Sequence, residues 1–211
     1  MKITAINAMA HRPGMYRISV DNKPLGYLNA DDVLSFSLAR GSDISQETYL
    51  RLITRIKYAA QYSSALGYAS CRLRSKAEVE RYLKGRACDI KTSASIIKEL
   101  ESLGIIDESK LAAAYVHDAE LLKPLSRNML ALKLKQKRID QELIDSSIEA
   151  SGYDDKLALD KLVSQKSERY KGNQPRFFRY LLRQGFSYSE IEKRIGRPER
   201  SSSFKRSPRA R

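Results

Sequence analysis

The chain opens with alternating apolar and polar residues and changes to a helical period from about residue 45 onward. Tyr16, Ile18 and Val20 alternate with polar neighbours, which is the period of a half-buried strand. Residues 3–6 and 25–28 are further short apolar runs, and turn-forming residues separate them from this strand. The pattern therefore predicts a small N-terminal antiparallel unit of two or three strands.

A β-hairpin alone is marginal in water, so this unit needs a helix to cover its apolar face. Residues 31–40 are predicted to form that helix, and Gly41 is predicted to end it. The helix would supply four apolar side chains, Val33, Leu34, Phe36 and Leu38.

From Ser45 almost to the C-terminus, apolar seams at helical spacing alternate with helix caps. Ser75 and Glu78 have the spacing of a capping box, and Ser126 precedes the seam of Leu130 and Leu134. Several seams end at a glycine, as helices commonly do. The other predicted seam residues include Ile96, Ile97, Leu100, Leu103, Leu111, Tyr115, Leu122, Leu143, Ile144, Ile148, Leu157, Leu162 and Val163.

Five landmarks recur at an offset of 47 residues, which indicates an internal repeat. The pairs are Asp107 and Asp154, Ser126 and Asn173, Leu134 and Leu181, Ile139 and Phe186, and Ile144 and Ile191. A looser earlier copy lies 51 residues upstream, with Ser75 before Ser126 and Leu83 before Leu134. The sequence therefore predicts a mainly α fold of three tandem three-helix units in an elongated array, preceded by the small N-terminal β-hairpin unit.

The predicted division of the chain has five parts. They are the β-hairpin and its helix (1–44), a first helical unit with a lead-in helix (45–104), a second unit (105–152), a third unit (153–196) and a disordered basic tail (197–211).

A formal net charge of +14 favours an acidic partner. Residues 126–195 carry 15 basic and 10 acidic side chains, and residues 196–211 carry 6 and 1. Most of the excess therefore lies in the C-terminal half. The tail is rich in Ser, Arg and Pro, which predicts either a disordered arm that adds salt-sensitive affinity or a segment that serves only solubility.

Composition excludes several functional classes. Two cysteines, Cys71 and Cys88, are too few for a disulfide scaffold or a structural zinc site. His11 and His117 lack a metal-ligand spacing, and no phosphate-binding loop or nucleophile motif is present. The sequence holds no membrane-spanning run and no apolar signal-peptide core. We therefore expect a cytoplasmic protein that is not an enzyme and needs no cofactor or metal. We also expect it to be a monomer.

The sharpest binding signal is a basic stripe on one predicted helix. At about 100° per residue, Arg176, Arg179 and Arg183 share a narrow sector with Tyr180 beside them. The opposite side of the helix carries its predicted core residues, which are Phe177, Phe178, Leu181 and Leu182. Guanidinium groups suit phosphates and carboxylates, and tyrosine can stack. The alternative is an ordinary solvated helix face.

A second group of basic residues surrounds the Leu130–Leu134 seam. Its members are Arg127, Lys133, Lys135, Lys137 and Arg138. In helical projection they spread over both sides of the seam. They therefore make the local electrostatic potential more positive without defining one patch. Here too a solvated face is the alternative.

The chain resembles the RecX family of bacterial regulators of the RecA recombinase. The residues that carry the resemblance are Arg74-Ser75, Glu78-Val79 and Leu83, then 103–108 and 111–115, then 180–187 and Ile191. The opening hairpin, which contains residues 3–6, resembles the N-terminal extension of longer members. The chain departs from the family's Lys-Gly-Phe corner, with Lys-Gly-Arg-Ala in the first unit and Lys-Arg-Ile in the second.

The resemblance implies a non-enzymatic regulator that binds the RecA–DNA filament and most often inhibits its extension, ATPase and strand-exchange activity. Recombination, DNA repair and the SOS response are the processes it implies. The implied partners are the RecA filament and single-stranded DNA, within the filament or weakly alone. Two other classes stay open at this point: a general nucleic-acid-binding helical protein without RecA dependence, and an enzyme on an unrecognised helical fold.

Overall fold

The computed structural model describes residues 1–198 of the chain. The predicted basic tail lies outside these residues apart from its first two positions. The chain divides into two compact units, Met1–Ile106 and a second that begins at Asp107. The described residues form one three-stranded sheet followed by ten α-helices, which confirms the mainly α fold with a small N-terminal β unit.

The sheet is an antiparallel meander of three strands. Its strands are β1 (Ile3–Ala8), β2 (Met15–Val20) and β3 (Lys23–Asn29), in that spatial order. Asp21 and Asn22 join β2 to β3 with φ angles of 46° and 64°. Two left-handed residues in a two-residue loop match the twist of a hairpin, and Asp and Asn adopt that conformation more readily than other non-glycine residues.

The helix predicted over residues 31–40 is shorter than the sequence indicates. Helix α1 covers only Ala30–Ser35, and Leu34 on its outer side is 75% exposed. Ser37 adopts a left-handed conformation with φ 49°, and the amide of Leu38 donates to the carbonyl of Val33. This C-terminal capping turn ends the helix before Gly41 and directs the chain back into the core, where Leu38 is buried.

One long helix spans the two cores of the first unit. Helix α2 (Gln46–Ser70) begins at Ser45, whose side chain accepts a hydrogen bond from the Thr48 amide, and it runs unbroken for 25 residues. Near its start, Leu52 is fully buried in the core under the sheet. Near its end, Ala65 packs in a second core with the two helices that follow.

Those two helices are α3 (Lys76–Lys84) and α4 (Ile90–Ser102). The capping box is confirmed: Ser75 accepts from the Glu78 amide, and the Glu78 carboxylate accepts from the Ser75 amide. Ile96 and Leu100 of α4 are fully buried, but Leu103 directly after it is 59% exposed, so its assignment to the seam was wrong.

The second unit contains six α-helices and one 3-10 turn, Glu168–Tyr170, among the described residues. The helices are α5 (Glu108–Leu121), α6 (Arg127–Gln136), α7 (Gln141–Ala150), α8 (Asp155–Lys166), α9 (Gln174–Arg183) and α10 (Tyr188–Ile195). All six contribute to one continuous hydrophobic core.

The positions related by 47 residues have equivalent roles in this unit. Asp107 and Asp154 are both N-caps whose side chains accept a backbone hydrogen bond, as are Ser126 and Asn173. Each of the other three pairs is buried in the core. Three seam residues were misassigned because they face outward, namely Leu122 (65% exposed), Leu157 (68%) and Leu182 (40%).

The corner after the second helix of each repeat turns through a left-handed residue. The residues are Ala87 (φ 54°), Arg138 (φ 59°) and Gly185 (φ 89°), which follow α3, α6 and α9. They are separated by the same offsets of 51 and 47 residues as the caps. The corner conformation therefore repeats even where the glycine does not.

Candidate partner-binding surface

Helix α9 separates an apolar face from a basic one. Asn173 caps its N-terminus by accepting from the Arg176 amide, and Pro175 lies in the first turn, where its missing N–H costs nothing. Phe177, Phe178 and Leu181 are buried in the core. The helix is therefore held firmly on one side and leaves the other side to solvent.

The three arginines of the predicted stripe lie on that exposed side. Arg176, Arg179 and Arg183, here called the arginine row, line a surface depression of about 280 Å³. The Nε atom of Arg179 donates to the Pro175 carbonyl over 3.3 Å. None of the three arginines forms an ion pair with a carboxylate within residues 1–198. Their charges are thus available to an external anion.

Tyr180 lies beside the row and belongs to an aromatic group. The Tyr170 ring, from the 3-10 turn, stacks on Tyr180 with centroids 5.4 Å apart and on Phe177 with centroids 5.0 Å apart. Partial burial raises the pKa of the Tyr180 hydroxyl, and Tyr170 adds to the rise, while Arg169 and Arg183 oppose it. Tyr180 is consequently a neutral platform within reach of two positive charges.

Sequence reasoning missed Arg169 and Tyr170 as neighbours of the row. They lie between α8 and α9, in a segment whose pattern only indicated the end of a helix. The available signal was local: a basic residue next to an aromatic one, directly upstream of the Asn173 cap.

The basic residues around α6 do not form one patch, as the helical projection predicts. Lys133 and Lys135 lie exposed in the last turn of α6, where positive charge complements the helix dipole. Lys137 turns toward α5, with its Nζ atom 5.3 Å from the centroid of the Tyr115 ring. Arg138 is the exposed left-handed residue of the corner.

Arg127 differs because the start of α6 lies against the corner that follows α9. The amide of Ser126 donates to the Gln184 carbonyl over 3.0 Å, so Arg127 and Arg183 each adjoin this backbone junction. The amide of Arg127 itself donates to the Asp155 carboxylate over 2.7 Å. Burial raises the pKa of Asp155, and this hydrogen bond partly offsets the rise.

The chemistry of this surface is that of anion binding. Guanidinium forks pair with phosphate or carboxylate oxygens, and a tyrosine beside them can stack on a planar group. Within residues 1–198 there is no cluster of three or more acidic, His or Cys side chains that could hold a metal ion. No helix in that part of the chain is long and apolar enough to cross a membrane.

Comparison with known proteins finds relatives over most of the chain. Regulatory protein RecX of Leuconostoc citreum is 25% identical over 202 residues, covering 91% of this chain and 74% of that protein. Regulatory protein RecX of Finegoldia magna is 27% identical over 188 residues, covering 84% of this chain and 90% of that protein. Regulatory protein RecX of Bacillus licheniformis is 26% identical over 195 residues, covering 90% of this chain and 74% of that protein. No protein-family model matches the chain.

Solved structures share the fold. A crystal structure of regulatory protein RecX superposes with a TM-score of 0.69 at 24% identity, covering 92% of this chain and 98% of that one. The crystal structure of RecX from Lactobacillus salivarius superposes with a TM-score of 0.53 at 27% identity, covering 64% of this chain and 92% of that one. Relatives of one name along nine-tenths of the sequence, together with a common fold, confirm the resemblance carried by the repeat motifs: the chain belongs to the RecX family of regulatory proteins.

Proposed function

We propose that this chain binds the RecA recombinase–DNA filament and inhibits its extension, ATPase and strand-exchange activity. The observation that carries the proposal is the similarity to RecX regulatory proteins over about nine-tenths of the chain. Regulation of RecA is what this family membership implies.

The arginine row supports the proposal from the physical side. Arg176 and Arg183 are seven residues apart on α9, which corresponds to about 10 Å along the helix axis. Three unpaired guanidinium groups over this distance can bind successive anionic groups of one extended partner. A nucleoprotein filament offers two kinds of such groups, DNA phosphates and acidic side chains of the recombinase.

The second unit contributes further positive charge to the same partner. Lys133, Lys135 and Arg138 are exposed, and Arg127 adjoins the junction next to Arg183. These residues strengthen long-range attraction without fixing a geometry, since they point to different sides of α6. In this proposal the arginine row provides specificity, and the α6 group and the tail provide salt-sensitive affinity.

Binding to DNA without RecA is the second candidate function. Unpaired arginines beside a tyrosine are also what a general nucleic-acid-binding protein would present. The two functions differ in one property: a filament regulator prefers RecA-coated DNA, whereas a general binder prefers the naked strand.

The deciding experiment compares the two substrates directly. A labelled single strand is titrated with the full chain, once bare and once coated with RecA and a slowly hydrolysed ATP analogue. Tighter binding to the coated strand is the expected result. Stronger binding to the bare strand, with a steep salt dependence, would favour the general nucleic-acid function instead.

A further inference from the structure

Two arginines and two tyrosines of the first unit form a four-layer stack. Tyr68 of α2 and Tyr82 of α3 lie face to face, with centroids 4.0 Å apart and an interplanar angle of 5°. The Arg74 guanidinium carbon lies 3.9 Å from the Tyr68 ring centroid, and that of Arg86 lies 4.8 Å from the Tyr82 centroid. Since the rings use one face each for one another, the order is Arg74, Tyr68, Tyr82, Arg86.

The three layers from Arg74 to Tyr82 are fixed by surrounding contacts. The side chain of Arg74 is only 15% exposed and lies 3.8 Å from the Glu78 carboxylate, which belongs to the capping box of α3. The Tyr82 hydroxyl shares a hydrogen bond with the Ser64 hydroxyl over 2.9 Å. Three of the four layers are thus ordered before any ligand arrives, which lowers the entropic cost of binding.

The outer end of the stack is open and positively charged. Arg86 is exposed, as are Arg81 and Lys84 in the last turn of α3. Within residues 1–198, none of these three forms an ion pair with a carboxylate. A planar cation supported by an aromatic ring therefore lies at the surface, in a segment that carries two further exposed cations.

We propose that the outer end of this stack is a binding site for an unstacked nucleobase of single-stranded nucleic acid. The base adds as a fifth layer on the Arg86 guanidinium, and the exposed charges of Arg81 and Lys84 at the same end of α3 attract the flanking phosphates. Guanidinium planes and aromatic rings are the surfaces on which proteins stack single-stranded bases. An aromatic side chain of a protein could also stack here, but it carries no anions for the exposed cations of this part of α3.

The site goes beyond the proposed function because it lies in the first unit, is separate from the arginine row and needs no RecA. The site distinguishes a strand that carries bases from one that has only the sugar-phosphate backbone, and a row of cations on its own does not. Its test can accordingly be made in the absence of the recombinase, and its failure would leave the regulatory proposal untouched.

The test compares a short oligodeoxyadenylate with an abasic strand of the same length, by fluorescence anisotropy on the full chain. The two strands have equal numbers of phosphates, so their affinity ratio isolates base stacking. Stacking contributes about fivefold or more per base, so the unaltered chain should prefer the base-bearing strand by at least that factor. Arg86→Lys keeps the charge and removes the plane, so it should lower the ratio by about fivefold or more while changing the affinity for the abasic strand less than about twofold.

Two further variants make the result specific. Arg40→Lys changes an exposed arginine of the first unit outside the proposed site and should leave the ratio as it is. Tyr82→Leu removes the supporting ring and should lower the ratio as Arg86→Lys does, with circular dichroism confirming that helicity is unchanged. Equal affinity of the unaltered chain for both strands, or a ratio that survives Arg86→Lys, would overturn the proposal and leave the stack a structural or protein-binding feature.

Discussion

At the scale of single residues, the corners of the repeats show how one backbone conformation is shared by different side chains. Ala87 and Arg138 occupy the left-handed position that Gly185 fills in the last repeat. A residue with a Cβ atom pays roughly 1–2 kcal/mol for this conformation, whereas glycine adopts it freely. Two of the three corners therefore contain backbone strain, and in each of them a single substitution by glycine can remove it.

We predict that Ala87→Gly stabilises the first unit. Ala87 is exposed, so the relief of strain is offset only by the greater freedom of glycine in the unfolded chain, leaving a gain of about 0.5 kcal/mol. The matched control is Ala60→Gly, an exposed alanine inside helix α2 of the same unit, which should cost about 1 kcal/mol. Urea denaturation measures both. If both variants lose a similar amount of unfolding free energy, the corner carries no backbone strain.

Gly185 should tolerate no side chain, for two separate reasons. Its φ is +89°, and an added Cβ would overlap Ser126 Oγ and lie 2.8 Å from the Cβ atom of Met129. Gly185→Ala should therefore lower the free energy of unfolding by about 3 kcal/mol. Gly152→Ala is the control in the same unit, since it has a φ of +66° and open space around it, and it should cost only about 1 kcal/mol. Equal losses would contradict the close packing of the corner against α6.

At the scale of elements, α9 presents the best-defined surface of the second unit. Replacing Arg176, Arg179 and Arg183 with Ala removes the exposed charges and leaves the buried face of the helix intact. Affinity for the RecA-coated strand should fall by about tenfold or more, since hydrogen bonds to charged groups contribute roughly 1.5–3 kcal/mol when they form. Circular dichroism should show unchanged helicity.

The control for this variant removes the same charge elsewhere. Lys123, Lys156 and Lys193 are exposed cations of the same unit outside the row, and their triple replacement by Ala also lowers the net charge by three. It should weaken binding less than the arginine variant does. If both triple variants bind alike, with the same salt dependence as the unaltered chain, the arginine row is an ordinary solvated face.

Elements were predictable from sequence where a local rule decides them. The Ser75–Glu78 capping box, the Ser126 cap and the equivalent positions at an offset of 47 residues all follow from spacing, because caps and buried seams obey short-range geometry. The end of α1 did not follow, because Ser37 adopts a left-handed turn so that Phe36 and Leu38 can reach the core. Only tertiary packing favours that turn.

The candidate surface was predictable to the same extent. Helical spacing alone predicts that the three arginines of the row lie together, since all three belong to one helix. Tyr170 and the Arg74–Tyr68–Tyr82–Arg86 stack were missed, because their partners come from different elements and sequence spacing does not bring them together. Outward-facing Leu157 and Leu182 show the reverse error, in which an apolar residue at nearly helical spacing points to solvent.

At the scale of the whole molecule, family membership and surface chemistry lead to the same proposal. The relatives are named as regulators, and the basic residues lie on helices that a folded core holds in place. The five-part division, the elongated arrangement and the monomeric state remain predictions from the sequence. The shape of the chain bears on how it inhibits. A chain that caps filament ends acts at a low ratio of chain to RecA, whereas a chain that coats the filament groove needs nearly one copy per binding site.

The most direct test of the central claim is a titration of RecA-driven strand exchange with the full chain, followed in parallel by ATP hydrolysis. We expect both rates to fall at well below one chain per RecA protomer, and the arginine-row variant to require a higher concentration for the same effect. Rates that stay constant across the titration, at concentrations where the chain is bound to the filament, would contradict the account.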